Sequence, residues 1–244
     1  MARQEHSSLR QSHQQGNRVG LTLLGEFAVR TGDGEIPLPM SAQRVLAFLA
    51  LHERPVQRAF LAASLWLDSP ETRAFASLRS ALWRLRRPGE QLVRQVGQAL
   101  ALADDVEVDL RRSTAEARGI LDGGDVAIDV DLLARDLLPD WYDDWLLIER
   151  ERHRQLRLSA LEALCDQLAG ANRLHEALDA GLAAVAGDPL RESSHRALVR
   201  VHLAHGNVAE AVRQYDLYRR LLSDNLGLEP SERMEELIAP ATRR

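Results

Sequence analysis

The spacing of apolar residues changes character twice within the first hundred positions, and this limits the fold more tightly than anything else in the chain. Leu21 and Leu23, then Phe27 and Val29, alternate as strand residues do, with Gly25 as a break. Gly32-Asp33-Gly34 marks a turn before a third short strand around Ile36 to Leu38, which makes a small antiparallel sheet. Helical spacing follows. Ser41 is placed to cap a helix carrying Val45, Leu46 and Leu49, and His52-Glu53-Arg54-Pro55 ends it. A short helix around Arg58 to Trp66 turns Phe60, Leu61 and Leu65 inward, and Asp68-Ser69-Pro70 opens a third. Strand character returns at Leu92–Val96 and Ala99–Leu102, with Gly97 marking a hairpin. Sheet, three helices and hairpin are the order of a winged helix-turn-helix. In that geometry the second helix crosses the DNA backbone, the third enters the major groove, and the hairpin reaches the flanking minor groove or phosphates.

The third helix has the faces this requires. Ser69 can cap it, Pro70 suits its first position, Glu71 meets the positive end of the dipole, and Pro88-Gly89 stops it. That predicts about 18 residues, or roughly 27 Å. Ala74, Leu78, Ala81, Leu82 and Leu85 form a stripe to be buried. Arg73, Ser77, Ser80, Arg84 and Arg87 recur on the opposite face, with Arg79, Trp83 and Arg86 along one flank. An apolar back with an Arg/Ser front fits a major groove, where Arg binds guanine through two hydrogen bonds and Ser or Arg holds phosphate. The bland counterpart is a solvated charged helix, and the winged-helix surroundings favour DNA.

Charge agrees with that division. Residues 1–100 hold 13 Arg against 8 acids, a net of +5; residues 101–244 hold 18 Arg against 28 acids, a net of −10, for a total of −5. Only the first half is therefore expected to meet nucleic acid. Every one of the 31 basic residues is Arg. The single cysteine, Cys165, excludes an intrachain disulfide, fits a cytoplasmic setting, and sits in an apolar helical pattern as a core residue. Residues 1–19, rich in Gln, Ser and His, read as a disordered tail without an apolar signal. No run approaches the roughly 18 apolar residues of a membrane span.

From Trp141 onward helical periodicity dominates. Glu176-Ala177-Leu178 matches Glu210-Ala211-Val212, and Leu164 matches Leu198, at a period of 34 residues, which is the tetratricopeptide period. Ala177, Ala184 and Pro189 take the small-small-Pro positions of one unit, and Ala211 and Tyr215 the small and aromatic positions of the next. Gly181 and Ser223 break the pattern. Stacked helix pairs present grooves for protein contacts and carry no reaction chemistry of their own.

The runs LGEFAVRTGDGEIPL, SAQRVLAFLAL, LWLDSPE and LRSALWRLRR resemble the DNA-binding domain of the Streptomyces antibiotic regulatory protein family, related to OmpR-type winged helices. VEVDL at 106–110, LLPDWYDDWLLIERERHRQLRLSALEAL at 137–164, DPLRESSHRALVRVHLAHGN at 188–207 and YRRLLSDNLGLEP at 218–230 resemble the bacterial transcriptional activation domain. The resemblance runs from Leu21 to Leu237. It implies a mainly helical chain with small β-sheets: a winged-helix DNA-binding domain at 20–104 and a tetratricopeptide-like activation domain at 105–240. It further implies an activator of secondary-metabolite genes that binds promoter direct repeats, self-associates on DNA and recruits RNA polymerase holoenzyme. The family's hairpin often carries an aromatic and a basic residue near GYRL. This chain has Gly97-Gln98-Ala99-Leu100, which leaves Arg94 as the basic candidate of the wing.

Other constellations carry less. Asp140, Asp143 and Asp144 among Trp141, Tyr142 and Trp145 read as a solvated loop beside aromatic anchors rather than a cation site. His202 and His205 lack a third metal ligand. Arg191 and Glu192 near Pro189 read as a turn that fixes a helix-pair junction. No GxxxxGK[ST], no GxGxxG opening a helix and no GxSxG elbow occurs, so neither catalysis, nor a cofactor, nor a metal is expected. No sensor module is recognisable either. The competing reading is a helical-repeat scaffold whose winged helix no longer binds DNA.

Overall fold

The computed structural model describes residues 19–87, 90–124 and 129–242. Residues 1–18 of the expected tail and the Pro88-Gly89 stop lie outside these residues, while Val19, counted with the tail, is a buried strand residue. Among them the chain forms two compact units. One takes residues up to Arg111 together with Leu137–Glu149; the other takes Arg112–Asp136 and residues from Arg150 on.

The first unit opens with β1 (Val19–Thr22), which pairs antiparallel with β2 (Ala28–Thr31) in the register Leu21↔Val29. β2 pairs with β3 (Gly34–Glu35), so the third strand lies at the Gly34 turn rather than at Ile36–Leu38. The sheet has a fourth strand that alternation in the N-terminal stretch did not reveal. β9 (Val106–Val108) lies parallel to β1, pairing Val19 with Val106 and Leu21 with Val108. Asp109 fixes this join: its carboxylate accepts from the backbone N–H of Leu23 at 2.9 Å and of Leu24 at 3.0 Å. A cut at residue 104 would thus run between paired strands.

Helix α1 (Met40–Leu51) buries Ala42, Val45, Leu46, Ala47, Phe48, Leu49 and Ala50, and so has apolar contacts nearly all round. It starts one residue before Ser41 with Pro39 at the cap, and there is no side-chain cap bond because proline carries no side-chain acceptor. β4 (Val56–Gln57) leads into α2 (Arg58–Leu65), which buries Leu61, Ala62 and Leu65. Phe60, expected inside, is 57% exposed, with only an edge contact to Phe48. Then come α3 (Glu71–Arg84), a two-residue hairpin of β5 (Arg86–Arg87) and β6 (Glu90–Gln91), and the wing, β7 (Val93–Val96) and β8 (Ala99–Leu102). β8 also pairs with β4. Gly97, at φ 59°, takes the left-handed turn conformation that glycine adopts without strain.

Residues Leu137–Glu149 complete this unit. Leu137 bridges to Leu24, and the N–H of Leu138 donates to Leu23 at 2.9 Å. Trp141 stacks on Phe27 with centroids 5.7 Å apart, and Trp145 packs on Trp141 and on Phe48 at 6.5 and 5.1 Å. Trp141 and Trp145 are therefore anchors as expected, whereas Tyr142 is 93% exposed and is not one. Asp143, however, is not solvated: it pairs with Arg44, and both side chains are mostly buried.

The second unit is helical: α4 (Asp109–Leu121) from Arg112 on, α5 (Val130–Ala134), α6 (Asp144–Gly170) from Arg150 on, α7 (Leu174–Gly187), α8 (Glu192–Ala204), α9 (Val208–Leu226) and α10 (Glu232–Thr242). One core joins Ile120 and Leu133 to Leu161, Leu164, Ala177, Ala184 and Ala197; a second joins Val199 to Ala211, Tyr215, Tyr218, Met234 and Ile238. Gly181 does not break the repeat. A Cβ there would stand 2.5 Å from Leu198 Cδ2 and 3.1 Å from Cys165 Sγ, so the missing side chain is what lets α7 approach α6 and α8. Cys165 is fully buried, and burial pushes its thiol up to about 12.

The junction at Pro189 is a polar knot. Arg191 donates to Glu162 at 2.8 Å, to Gln155 at 2.6 Å and to Ser159 at 3.2 Å. Ser193 and Ser194 each donate to Glu162 at 2.7 Å. Burial pushes the Glu162 carboxyl up, and the hydrogen bonds from Arg191, Ser193 and Ser194 outweigh it, so the group stays below the usual carboxylate range. Glu192 accepts from the backbone N–H of Ser231 at 2.8 Å and ties α8 to the start of α10. The helix-pair junction role expected of Arg191 and Glu192 is what these bonds perform.

Candidate nucleic-acid interface

α3 is amphipathic as its spacing predicts. Ala74, Leu78 and Ala81 are buried, Leu85 at the C-cap is 4% exposed, and Leu82 is only half-buried. The helix has 14 residues rather than about 18. Its N-cap is Pro70, with no side-chain cap bond from Ser69, whose N–H instead closes a turn on Trp66 at 3.0 Å. Arg86 and Arg87 are not helical: they form β5 against Glu90 and Gln91. The apolar spacing that ends at Leu85 is real, but the pairing of Arg86 with Gln91 and of Arg87 with Glu90 takes the backbone over beyond it.

On the outward side Arg73, Arg79, Ser80 and Arg84 are exposed, and Ser77 is half-buried. Trp83 is 72% exposed, an unusual position for a residue with so much apolar surface. Arg86 is exposed on the adjoining strand; the side chain of Arg87 lies outside the described residues. Among the described residues no carboxylate pairs with Arg73, Arg79, Arg84 or Arg86. The second unit differs: there Arg154, Arg157, Arg191, Arg196 and Arg200 each pair with an acid. Arg94, the wing candidate, sits in β7 with its Nε 3.2 Å from Asp104, so its charge is partly neutralised.

Between the C-terminal half of α3, the β5–β6 hairpin and the wing lies an open cleft of about 660 Å³. Arg79, Trp83 and Arg86, the flank recognised from spacing, all line it. So do two residues that sequence patterning did not mark, Arg58 at the start of α2 and Gln95 in β7. Arg58 donates to Gln95 Oε1 at 3.0 Å, and Gln95 Nε2 donates to the Gly97 carbonyl at 2.8 Å. The pairing of β8 with β4 on one side and with β7 on the other brings positions 58 and 95 together, and no local periodicity encodes that.

Elsewhere the described residues hold no group of three or more His, Cys, Asp or Glu side chains able to bind a metal, and no helix long and apolar enough to cross a membrane. His195 is fully buried; its Nε2–H donates to Pro189 at 3.0 Å and its Nδ1 accepts from Gln214 at 2.8 Å. Burial holds its protonation below the ordinary histidine range.

Similarity to known proteins agrees with this geometry. The chain is 31% identical over 223 residues to the regulatory protein AfsR of Streptomyces coelicolor, covering 84% of this chain and 22% of that protein. It is 27% identical over 235 residues to the regulatory protein AfsR of Streptomyces griseus, covering 88% and 24%. The chain thus spans about a quarter or less of the curated relatives it matches. In fold it resembles Mycobacterium tuberculosis EmbR, solved in complex with a low-affinity phosphopeptide, with a TM-score of 0.68 at 21% identity, over 93% of this chain and 65% of that one. Residues 89–240 match the bacterial transcriptional activator domain, well over half of the chain. An N-terminal winged helix-turn-helix followed by helical repeats carrying that domain makes the chain a member of the Streptomyces antibiotic regulatory protein family of transcriptional regulators.

Proposed function

We propose that the chain is a sequence-specific activator whose first unit binds promoter direct repeats through α3 and whose helical repeats contact RNA polymerase holoenzyme. One observation carries the reading: α3 buries Ala74, Leu78 and Ala81 on one side and presents Arg73, Arg79 and Arg84 on the other, with no carboxylate partner among the described residues. Unpaired guanidiniums on an exposed helix face suit guanine edges and phosphates. Arg84, exposed in the last turn of α3, is the leading base reader, with Arg73, Ser77, Arg79, Ser80, Trp83, Arg86, Arg87 and Arg94 as the surrounding contacts. Copies lie head to tail on same-orientation half-sites, since a direct repeat has no two-fold axis. The genes controlled belong to secondary-metabolite pathways, and the protein works in the cytoplasm without catalysing a reaction.

The test is titration of Arg84→Ala against a duplex enriched from a random-sequence pool by the full chain. A bidentate guanine contact predicts a loss of about 1–3 kcal/mol and relaxed preference at one base pair. A phosphate contact predicts equal weakening on all sequences and a salt slope lower by about 0.9. Unchanged affinity for both enriched and random duplex would remove Arg84 from the interface.

A further inference from the structure

From the cleft beside α3 we infer that the cationic residues divide their work: Arg58, Arg79 and Arg86 clamp one DNA strand by its phosphates, with Trp83 packing on the deoxyribose between them. This rests on the DNA reading above and adds to it roles for Arg58 and Gln95. Three arginines from three elements, α2, α3 and β5, converge on the cleft, and among the described residues no carboxylate lines it. Its remaining walls are apolar or amide: Leu82, Leu85 and Leu92 beside Gln91 and Gln95. Cationic edges over an apolar floor match a sugar–phosphate strand, which alternates diester anions with rings that hydrogen-bond poorly. They do not match a base edge, which needs a fixed set of donors and acceptors.

Gln95 is the positioning residue. Its carboxamide is held by the Gly97 carbonyl at the wing turn and in turn accepts from Arg58. That bond uses one Nη of the guanidinium and leaves the others for a phosphate oxygen. The fixed fork costs less entropy to seat than a free side chain. The wing therefore contributes through an amide that aims an arginine on α2, while its own arginine, Arg94, is engaged by Asp104.

The test uses the full chain and a duplex enriched by it from a random pool, with each phosphodiester replaced in turn by a neutral methylphosphonate. For the unaltered chain, neutralising one or two adjacent linkages should weaken binding about tenfold. In Arg58→Ala those same linkages should become indifferent, and the salt slope should fall by about 0.9. Arg86→Gln, which leaves the Arg58–Gln95 bond intact, should desensitise a neighbouring linkage. Gln95→Ala should weaken binding when Arg58 is present and have no effect in the Arg58→Ala background. Linkage losses identical in the unaltered chain and in Arg58→Ala would overturn the clamp while leaving DNA binding intact. Those unchanged losses together with Arg58-dependent binding of inorganic pyrophosphate to the DNA-free chain would make the cleft a site for a free anion instead. Failure to enrich any duplex would instead overturn the DNA reading itself.

Discussion

Replacing Gly181 with alanine should destabilise the helical repeats, and three distances give the size of the loss. The new Cβ would stand 2.5 Å from Leu198 Cδ2, 3.0 Å from Leu198 Cγ and 3.1 Å from Cys165 Sγ. Leu198 and Cys165 are both fully buried, so the leucine has no open space to turn into. Overpacking of this kind costs about 1–3 kcal/mol. Alanine in a helix interior returns about 1 kcal/mol relative to glycine, which leaves a net loss of about 1 kcal/mol. Leu198→Ala alone should cost about 2–5 kcal/mol by opening a cavity. The added methyl would partly fill that cavity, so the double variant should be more stable than the sum of the two changes by about 1–2 kcal/mol. Gly170 is the control: it ends α6 with nothing within 4 Å of an added Cβ, so Gly170→Ala should be neutral or stabilising by up to about 1 kcal/mol. Urea unfolding followed by far-ultraviolet circular dichroism reads all four. A Gly181→Ala chain as stable as the original, or strict additivity with Leu198→Ala, would refute the argument that α7 packs through a missing side chain.

Glu162→Gln should cost about 2 kcal/mol at neutral pH, because Arg191 loses its anion and two serine hydroxyls lose a charged acceptor. The folded Glu162 carboxyl lies below its unfolded value of 4.5, so its contribution is complete above that value and is lost as pH falls through the folded one. Acid titration of stability should be shallower in the variant. His195 behaves in the opposite chemical sense but with the same slope. Its folded protonation lies below 6.5, so as pH drops past 6.5 the unfolded chain takes up a proton that the folded chain refuses, and stability falls. His195→Gln should reduce that slope without abolishing it, because burial lowers His153 as well, and a slope unchanged in urea melts from pH 7 to 5 would count against the buried neutral ring. Asp109→Ala strands the N–H groups of Leu23 and Leu24 and should cost about 2 kcal/mol, with faster hydrogen exchange at those two amides; Asp109→Asn should retain part of the stability.

What was legible in the sequence is what local periodicity encodes. The stripe Ala74, Leu78 and Ala81, the hairpin at Gly97 and the paired helices of the repeats all follow from side chains within one element meeting one core. What was not legible depends on partners far along the chain. The parallel strand Val106–Val108 is too short to announce itself, and its partner lies some 87 positions earlier. Arg86 and Arg87 continue an arginine-rich helical pattern, yet pairing with Glu90 and Gln91 takes their backbone. Phe60 has the size of a core residue, but Leu61 and Leu65 already fill the inner face of its short helix. The flank Arg79, Trp83 and Arg86 was legible as a group, while Arg58 and Gln95 come beside it through the pairing of β8 with β4 and with β7. In the repeats, Arg154 with Asp188 and Arg200 with Asp166 are joined at a separation of 34 residues, so the apolar period foretold ionic partners that nobody would pick from charge alone.

Segment 137–149 belongs with residues that precede it by a hundred positions, its two tryptophans seated on Phe27 and Phe48. No single scission of the polypeptide can therefore separate the two units without dividing one of them. A fragment stopped at residue 104 lacks both a sheet strand and an aromatic plug, and the complementary fragment inherits that plug with nothing to seal. Gene fusions that borrow the amino-terminal unit must carry the distant segment along, or supply indole rings of their own.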